Sequence, residues 1–513
     1  MYTDNDNRPA DVTADVREPA AQTVPAPEAG AAAPVKKGFS TFSIPALVML
    51  ALMLAVFAVE LSLSVRKVNL MNLFTSQFIG TNNFEKLTGT ANYSLALRGS
   101  LVYRLIQLGA GGGLAAGLVA LFYAMRKPRV VLTFACLWLI PACLPYLTTS
   151  IAATGTLLTD SSGILFSYCT TVLQTTSVFC FCGGIFTYLN LKKKGRPGGG
   201  PYYGLLIGAL VYLLSFLSTK ELFVGMIGIR GITLDGFNYR MLINQQFGVG
   251  AAGGVMKVFM QFIIAIIPLI VLSVLARKKS TKGKMTLNTL WVLLAIPAGL
   301  TIAYLLNLVL TGNRLDRIGS SVYSSILATL IGGSFGGLIA YSFIHLLRRV
   351  PCFLFALIAT VLSASMSCLI TQYLLMSQAG LRDTIWPQVL TAAFDGRLIL
   401  IVSVLAFALR DWHEARPGSL VIAMALLTGA FVWGEINAAS LFNNRVFPVS
   451  VLVYQVTKNA TAAVAENAAA AQAQANAARA GLRWLLAVPP LLLGAGGAWM
   501  MRRAFDTQEG IEK

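Results

Sequence analysis

Apolar stretches of about 20 residues recur along most of the chain, each long enough for a helix to cross the ~30 Å hydrocarbon core of a bilayer. Of the 513 residues, 56% are hydrophobic and only 12% are charged, whereas an ordinary soluble domain has roughly 25% charged residues. The sequence therefore predicts an all-α polytopic membrane protein with about 12 transmembrane helices. The predicted spans, the tenth being the shortest, lie at approximately 43–64, 101–124, 130–152, 163–191, 201–217, 252–276, 286–310, 323–346, 351–376, 397–409, 419–441 and 482–501.

The basic residues between these spans predict an orientation. The net charge of +19 is dispersed in short clusters, which argues against a nucleic-acid partner. With a cytoplasmic N-terminus, the clusters at Lys192–Arg196, Arg277–Lys284 and Arg502–Arg503 all fall on the inner side, as the positive-inside rule requires. We therefore expect a multi-pass protein of a bacterial plasma or inner membrane, surrounded by the lipid bilayer, with both termini in the cytoplasm.

Two segments outside the spans have distinctive compositions. Residues 1–42 are rich in Ala, Pro, Thr and Asp without periodicity, so we expect a disordered cytoplasmic tail and an uncleaved first span. Residues near 460–480 form an Ala/Gln/Asn/Glu run of high helix propensity in the last predicted external loop. This run is either a solvated helix that extends the final span outward or an element that binds a partner.

The predicted spans fall into two sets of six with the same rhythm. The first half covers 43–284 and the second 285–513, and each ends in a basic cluster and has a polar cytoplasmic linker after its fourth span. Two parallel halves of this kind can pack about an axis along the membrane normal and form a pathway at their interface.

Several motifs resemble one family of transporters. Phe78–Leu87 and Ala96–Tyr103 in the first half resemble the external entry segment and the start of the transport domain of maltose-type, binding-protein-dependent ABC sugar permeases. In the second half, Leu381–Leu390, Trp433–Ile436 and Arg445–Val449 resemble motifs of the partner permease subunit. The chain thus resembles two such subunits fused in one polypeptide.

The chain departs from this family at the cytoplasmic coupling loops. Family members carry a long EAA loop in each subunit, which docks on the ATPase. Here the first site is a Gly/Pro-rich decapeptide that cannot build the docking helices, and at the second only Glu414-Ala415 resembles a remnant. The degenerate coupling-loop positions are Lys192, Lys193, Lys194, Gly195 and Arg196, then Trp412, His413, Glu414 and Ala415.

Charged residues inside the spans are the candidates for functional sites, because a charge in a bilayer costs at least a few kcal/mol without a partner or water. Glu60, Arg104 and Lys257 lie near the predicted outer interface, where they could snorkel as structural residues. Glu435 is expected deeper, in the eleventh span. With Trp433 and Asn437 it forms either a patch that lines a sugar pathway or a polar helix–helix contact.

The sequence contains no phosphate-binding GxxxxGK[ST] motif, and it predicts no metal site, cofactor or catalytic site. The resemblance implies a membrane subunit that forms a translocation pathway for a sugar or similar solute, with an ABC ATPase and an extracellular solute-binding protein as partners. The alternative is a non-transporting membrane scaffold or assembly subunit derived from a permease framework.

Overall fold

The chain is helical throughout the part that the computed structural model describes, namely residues 43–68, 76–125, 127–144, 161–192, 202–217, 233–275, 317–365, 368–392, 395–411, 415–435, 448–464 and 469–506. Among the described residues, an isolated antiparallel β-bridge pairs the backbones of Arg66 and Phe78. The helices are α1 (Ile44–Ser64), α2 (Asn82–Thr88), α3 (Ala91–Ile106), α4 (Gly112–Ala124), α5 (Pro128–Leu137), α6 (Leu139–Ala142), α7 (Ser161–Lys192), α8 (Tyr203–Leu214), α9 (Leu234–Ile243), α10 (Phe247–Leu275), α11 (Arg317–Leu347), α12 (Cys352–Ser365), α13 (Leu369–Gln378), α14 (Trp386–Ala392), α15 (Gly396–Asp411), α16 (Pro417–Gly434), α17 (Val449–Val464) and α18 (Ala469–Phe505).

Seven helical stretches among the described residues are long and apolar enough to cross a membrane. They correspond to the first, second, fourth, sixth, eighth, eleventh and twelfth predicted spans. The stretches are Ile44–Ser64, Ala91–Ala124, Cys169–Lys192, Phe247–Val274, Gly319–Leu347, Pro417–Gly434 and Trp484–Phe505. The prediction of an all-α membrane protein is thereby confirmed.

The other predicted spans are shorter helices or lie outside the described residues. Apolar helices occupy Pro128–Ala142, Tyr203–Leu214 and Phe353–Leu362, and α15 has 16 residues. The predicted seventh span, 286–310, and the predicted tail, 1–42, lie outside the described residues. The number of twelve spans therefore stays a prediction.

Small residues let antiparallel helices approach closely. The most extensive helix pair is α11 against α16, where Gly333 lies against Gly429 and Gly337 against Ala425. A Cβ atom at Gly337 would stand 2.6 Å from the Ala425 backbone, so glycine is required there. Helix α18 in turn packs on α16, and these three helices belong largely to one continuous apolar core.

Helix ends collect at two opposite faces of the molecule. At the first face, Tyr188 donates a hydrogen bond to the Phe505 carbonyl (2.8 Å) and the Arg416 amide donates to Ala504 (2.8 Å). Ser43, just before α1, bonds His345 near the end of α11 (3.2 Å). Because neighbouring helices run antiparallel, the end of α1 and the start of α10 lie at the second face.

The final helix agrees with one of the two sequence interpretations. Helix α18 is continuous from Ala469 to Phe505, so part of the Ala-rich run extends the last span without a break. Two prolines, Pro489 and Pro490, lie inside it. Proline is tolerated in membrane helices because neighbouring groups satisfy the carbonyls that it leaves free.

Candidate functional site

A buried ion pair lies nearly three helical turns (~15 Å) from the start of α10. Lys257 of α10 approaches Asp235 of α9, with 2.7 Å between Nζ and Oδ1, and its side chain is 2% exposed. Lys257 therefore does not snorkel to the membrane surface, and that part of the sequence interpretation is wrong. The aspartate supplies a bonded counter-charge, which a membrane-buried lysine needs.

Local structure fixes the aspartate. Asp235 lies in the first turn of α9, whose N-cap Thr233 accepts a hydrogen bond from the Gly236 amide (3.1 Å). The Ser100 hydroxyl of α3 accepts from the Leu234 amide (2.9 Å), and Phe237 packs edge-on against Tyr93. Helix α9 is thus held on both α3 and α10, and its first turn faces Lys257.

A second buried carboxylate comes from α1 and lies against α10. Glu60 of α1 has no exposed surface, and its Oε2 accepts a hydrogen bond from the Thr371 amide (2.8 Å). Thr371 is the third residue of α13, and the side chain of the N-cap residue Cys368 makes no capping hydrogen bond. Glu60 therefore caps α13 from another helix, where the helix dipole favours negative charge.

Two consecutive glycines of α10 make room for this arrangement. A Cβ atom at Gly254 would collide with Glu60 Oε1, and one at Gly253 would collide with Asn238 Oδ1. The carboxyl oxygen and the amide oxygen thus lie over neighbouring positions of one helix. Because Lys257 follows one turn later, α10 carries glycines and a lysine on the same surface.

Three side-chain oxygens in this cluster have no hydrogen-bond partner among the described residues: Glu60 Oε1, Asn238 Oδ1 and Thr371 Oγ1. All three residues are at least 95% buried. The Thr371 hydroxyl lies beside the Glu60 carboxyl, and the Cys368 thiol is close enough to interact with both Glu60 and Lys257. We call Glu60, Asp235, Asn238, Lys257 and Thr371 the buried charge cluster.

The cluster has groups that can bind or release a proton or a small cation, but its donors do not match a transition-metal site. It has two carboxylates and one ammonium group, and no group of three or more His, Cys, Asp or Glu residues with metal-site geometry occurs among the described residues. Chemically it can hold a proton, a small cation or a polar solute group.

The predicted pathway patch is only partly described. Trp433 is 4% exposed and packs in an apolar cluster with Val449, Leu452 and Leu486, so its ring face is not open to a solute in this conformation. Glu435 follows the last residue of α16 and is extended. It therefore lies at the helix end and not deep inside the span, and Asn437 lies outside the described residues.

Glu435 does lie near a second charged pair. Arg397 forms a bidentate ion pair with Asp395 (2.8 Å) and donates to the Ala142 carbonyl (2.9 Å). Its guanidinium also stacks on Phe431, 4.4 Å from the ring centroid, and it interacts electrostatically with Glu435. The patch thus contains an arginine that the sequence analysis did not include.

Arg104 forms part of a third polar network. It donates to Gln107 Oε1 (2.6 Å), which also accepts from the Tyr212 hydroxyl (2.7 Å). Gln107–Gly111 is a π-helical turn, a feature frequent at functional positions of helices. Arg104 is 4% exposed, so it too is bound to protein and does not snorkel.

Two coupling-loop positions lie in the described residues, at the first face. Lys192 ends α7, and Ala415 is buried beside the start of α16. The remaining positions lie outside the described residues, so the predicted degeneracy of these loops stays a prediction: Lys193, Lys194, Gly195, Arg196, Trp412, His413 and Glu414.

The fold and the buried charges define a polytopic, all-α membrane protein. Comparison with protein-family models, with curated proteins and with solved structures finds no match for this chain.

Proposed function

We propose that the protein is a membrane transport protein that moves a small solute across a bacterial cell membrane. The observation that carries the proposal is the buried charge cluster, in which Glu60 and Lys257 lie inside membrane-spanning helices. Ionisable residues there are costly, and they typically mark solute or ion pathways. A purely structural contact between α1 and α10 could use apolar side chains at lower cost.

The finer form of the proposal rests on the resemblance of the motifs. In that form the chain is a fused ABC sugar permease subunit whose energy comes from a separate ATPase and whose substrate comes from a solute-binding protein. Glu435 beside Arg397 supports a polar patch for sugar hydroxyls. Trp433 supports it less, since its ring is covered.

Uptake assays test the general proposal. Cells that express the double variant Lys257→Met, Asp235→Leu, which lacks both charges, are expected to lose uptake of the transported solute. The variant protein is expected to remain in the membrane. Glu85→Gln, at an exposed carboxylate of α2, is the matched control. Normal solute uptake by the double variant would contradict the proposal that this cluster serves transport.

Separate experiments test the finer form. Trp433→Ala and Glu435→Ala are expected to reduce sugar uptake, and unchanged transport would remove the patch. An ATPase is expected to co-purify in mild detergent, and a complex without one would exclude ATP-driven import through this chain.

A scaffold or assembly subunit is the second candidate, and the covered ring of Trp433 in the predicted pathway patch favours it. Co-purification together with the uptake assay separates the candidates. A scaffold is expected to retain partner proteins but to show no solute-dependent activity.

A further inference from the structure

We propose that the buried charge cluster binds one monovalent cation, a proton or an alkali ion, between Glu60 and the neighbouring oxygens of Asn238 and Thr371. The site deepens the proposed function by naming a coupling ion. The binding itself does not require transport and is tested separately.

The first argument is the balance of charge. Two carboxylates, Glu60 and Asp235, share one ammonium group. Lys257 is bonded to Asp235 at 2.7 Å and forms no ion pair with Glu60. The cluster therefore carries one negative charge in excess when both carboxylates are ionised, and a buried charge needs a partner.

The described side chains packed against Glu60 supply no second positive charge. From α10 it faces Gly254 and Lys257, and from the start of α13 it faces Cys368 and Thr371. Helix α12 contains no charged residue. On α11, His345 lies at the first face beside Ser43, about 25 Å away at 1.5 Å per residue of α1.

Arg66 is the next cation along the chain, beyond the end of α1. Its guanidinium points to the Ser76 carbonyl (3.5 Å), and Asn83 caps the adjacent carbonyls. The positive end of α13 offsets part of the charge at Oε2. Oε1 lies over Gly254 and makes no close hydrogen bond with the described residues, although the Thr371 hydroxyl lies beside the carboxyl.

The second argument is the set of oxygens in the cluster. A carboxyl oxygen and an amide oxygen lie over consecutive glycines of α10, and the Thr371 hydroxyl lies beside the carboxyl. All three oxygens are buried without a close hydrogen bond among the described residues, and they are hard donors that suit an alkali cation or a proton. Leaving such buried atoms unpaired destabilises the folded state. One bound cation at Oε1 satisfies the carboxyl and removes the excess charge at the same time.

Thermal unfolding of the full-length protein in detergent tests the site. The melting temperature is followed while NaCl replaces choline chloride at constant ionic strength, at several pH values. Glu60→Gln keeps the shape of the side chain and removes its charge. We expect the Glu60→Gln change to lower the apparent cation affinity at least about tenfold. The melting temperature reports this affinity, because a ligand that binds only the folded state stabilises it by mass action. Glu85→Gln is the control.

The two cations give different results. Sodium-dependent stabilisation that is lost in Glu60→Gln identifies an alkali cation. Stabilisation by acid alone, lost in the same variant, identifies a proton. Identical sodium and pH dependence in the wild type and Glu60→Gln would overturn the proposal, whatever the uptake assays show.

A measurement on the wild type protects the test from misfolding of the variant. A hydrophobic carbodiimide reacts with protonated carboxyl groups, and the modified residue is found by mass spectrometry. We expect modification of Glu60 to fall as pH rises and, for an alkali-ion site, to fall with sodium at constant pH. Modification of Glu60 that is independent of both would contradict the proposal.

Discussion

At the scale of single residues, the energetic coupling between Lys257 and Asp235 can be measured with single and double variants. Removing one partner of a buried pair leaves an uncompensated charge and costs about 3–5 kcal/mol, whereas replacing both by apolar residues is often nearly neutral. We expect Asp235→Asn and Lys257→Met each to lower the free energy of unfolding by about 3 kcal/mol, measured by titration with a denaturing detergent in mixed micelles. The double variant Lys257→Met, Asp235→Leu is expected to lose much less. Additive losses would contradict this description of the pair.

Gly254 tests the close approach of α1 and α10. A methyl group there would collide with Glu60 Oε1, so we expect Gly254→Ala to destabilise the protein by about 1–3 kcal/mol, the usual cost of overpacking. Gly117 in α4 is the matched control, because a Cβ atom there meets nothing within 4 Å. Alanine at that position is expected to be neutral or slightly stabilising in the same unfolding titration. Equal effects of the two changes would show that helix propensity, and not the contact with Glu60, decides the result.

The residues of the cluster differ in how far the sequence could identify them. Glu60 and Lys257 are found by a simple criterion, charge inside an apolar stretch. Asp235 and Asn238 are not, since they belong to a segment that the sequence predicts to be an external loop and whose helix α9 packs onto α10. The sequence does contain one indication of a close helix contact here, the pair Gly253-Gly254 near Lys257. Adjacent small residues in a membrane helix permit another helix to approach closely. No local pattern identifies which side chains use that space.

At the scale of helices, Asn83 connects α2 to the end of α1. Its Nδ2 atom donates to the Ser64 and Arg66 carbonyls, both at 2.9 Å, and these groups have no partner inside α1. We expect Asn83→Ala to lower the free energy of unfolding by about 1–2 kcal/mol. Asn82→Ala, at an exposed neighbour in the same helix, is expected to change it by less than about 0.5 kcal/mol. Similar losses from both substitutions would mean that the helix propensity of α2, and not the cap, matters.

Hydropathy predicted the long helices because their apolar length exceeds what any soluble element needs. It was less successful with the shorter ones. The third predicted span, 130–152, breaks between α5 and α6, where Pro141 removes an amide donor, and residues 145–152 lie outside the described residues. Helix α16 ends at Gly434, so Glu435 lies at the helix end and not within the span. Such ends depend on tertiary hydrogen bonds, such as that from Ser450 Oγ to the Glu435 carbonyl (2.8 Å), which a hydropathy window does not contain.

At the scale of the whole molecule, contacts between helices distant in sequence fix the relation of the two faces. Ser43 bonds His345 (3.2 Å) and Ala46 bonds Ser342 (3.0 Å), so α1 and α11 run antiparallel where they pair at the first face. The basic helix ends at Lys192, Arg416 and Arg502 belong to the first face. Under the predicted orientation the first face is cytoplasmic, and this stays a prediction.

Cysteine labelling tests that orientation. In a variant whose native cysteines are replaced, Glu85→Cys at the second face and Arg129→Cys at the first each present one thiol; Arg129 is 66% exposed where it approaches Asp506. With a cytoplasmic N-terminus, a membrane-impermeant maleimide is expected to label the first variant in intact cells and the second only after permeabilisation. The opposite result would reverse the orientation and keep the two-faced fold. Labelling of both from one side would contradict the assignment of these two positions to opposite faces of the molecule.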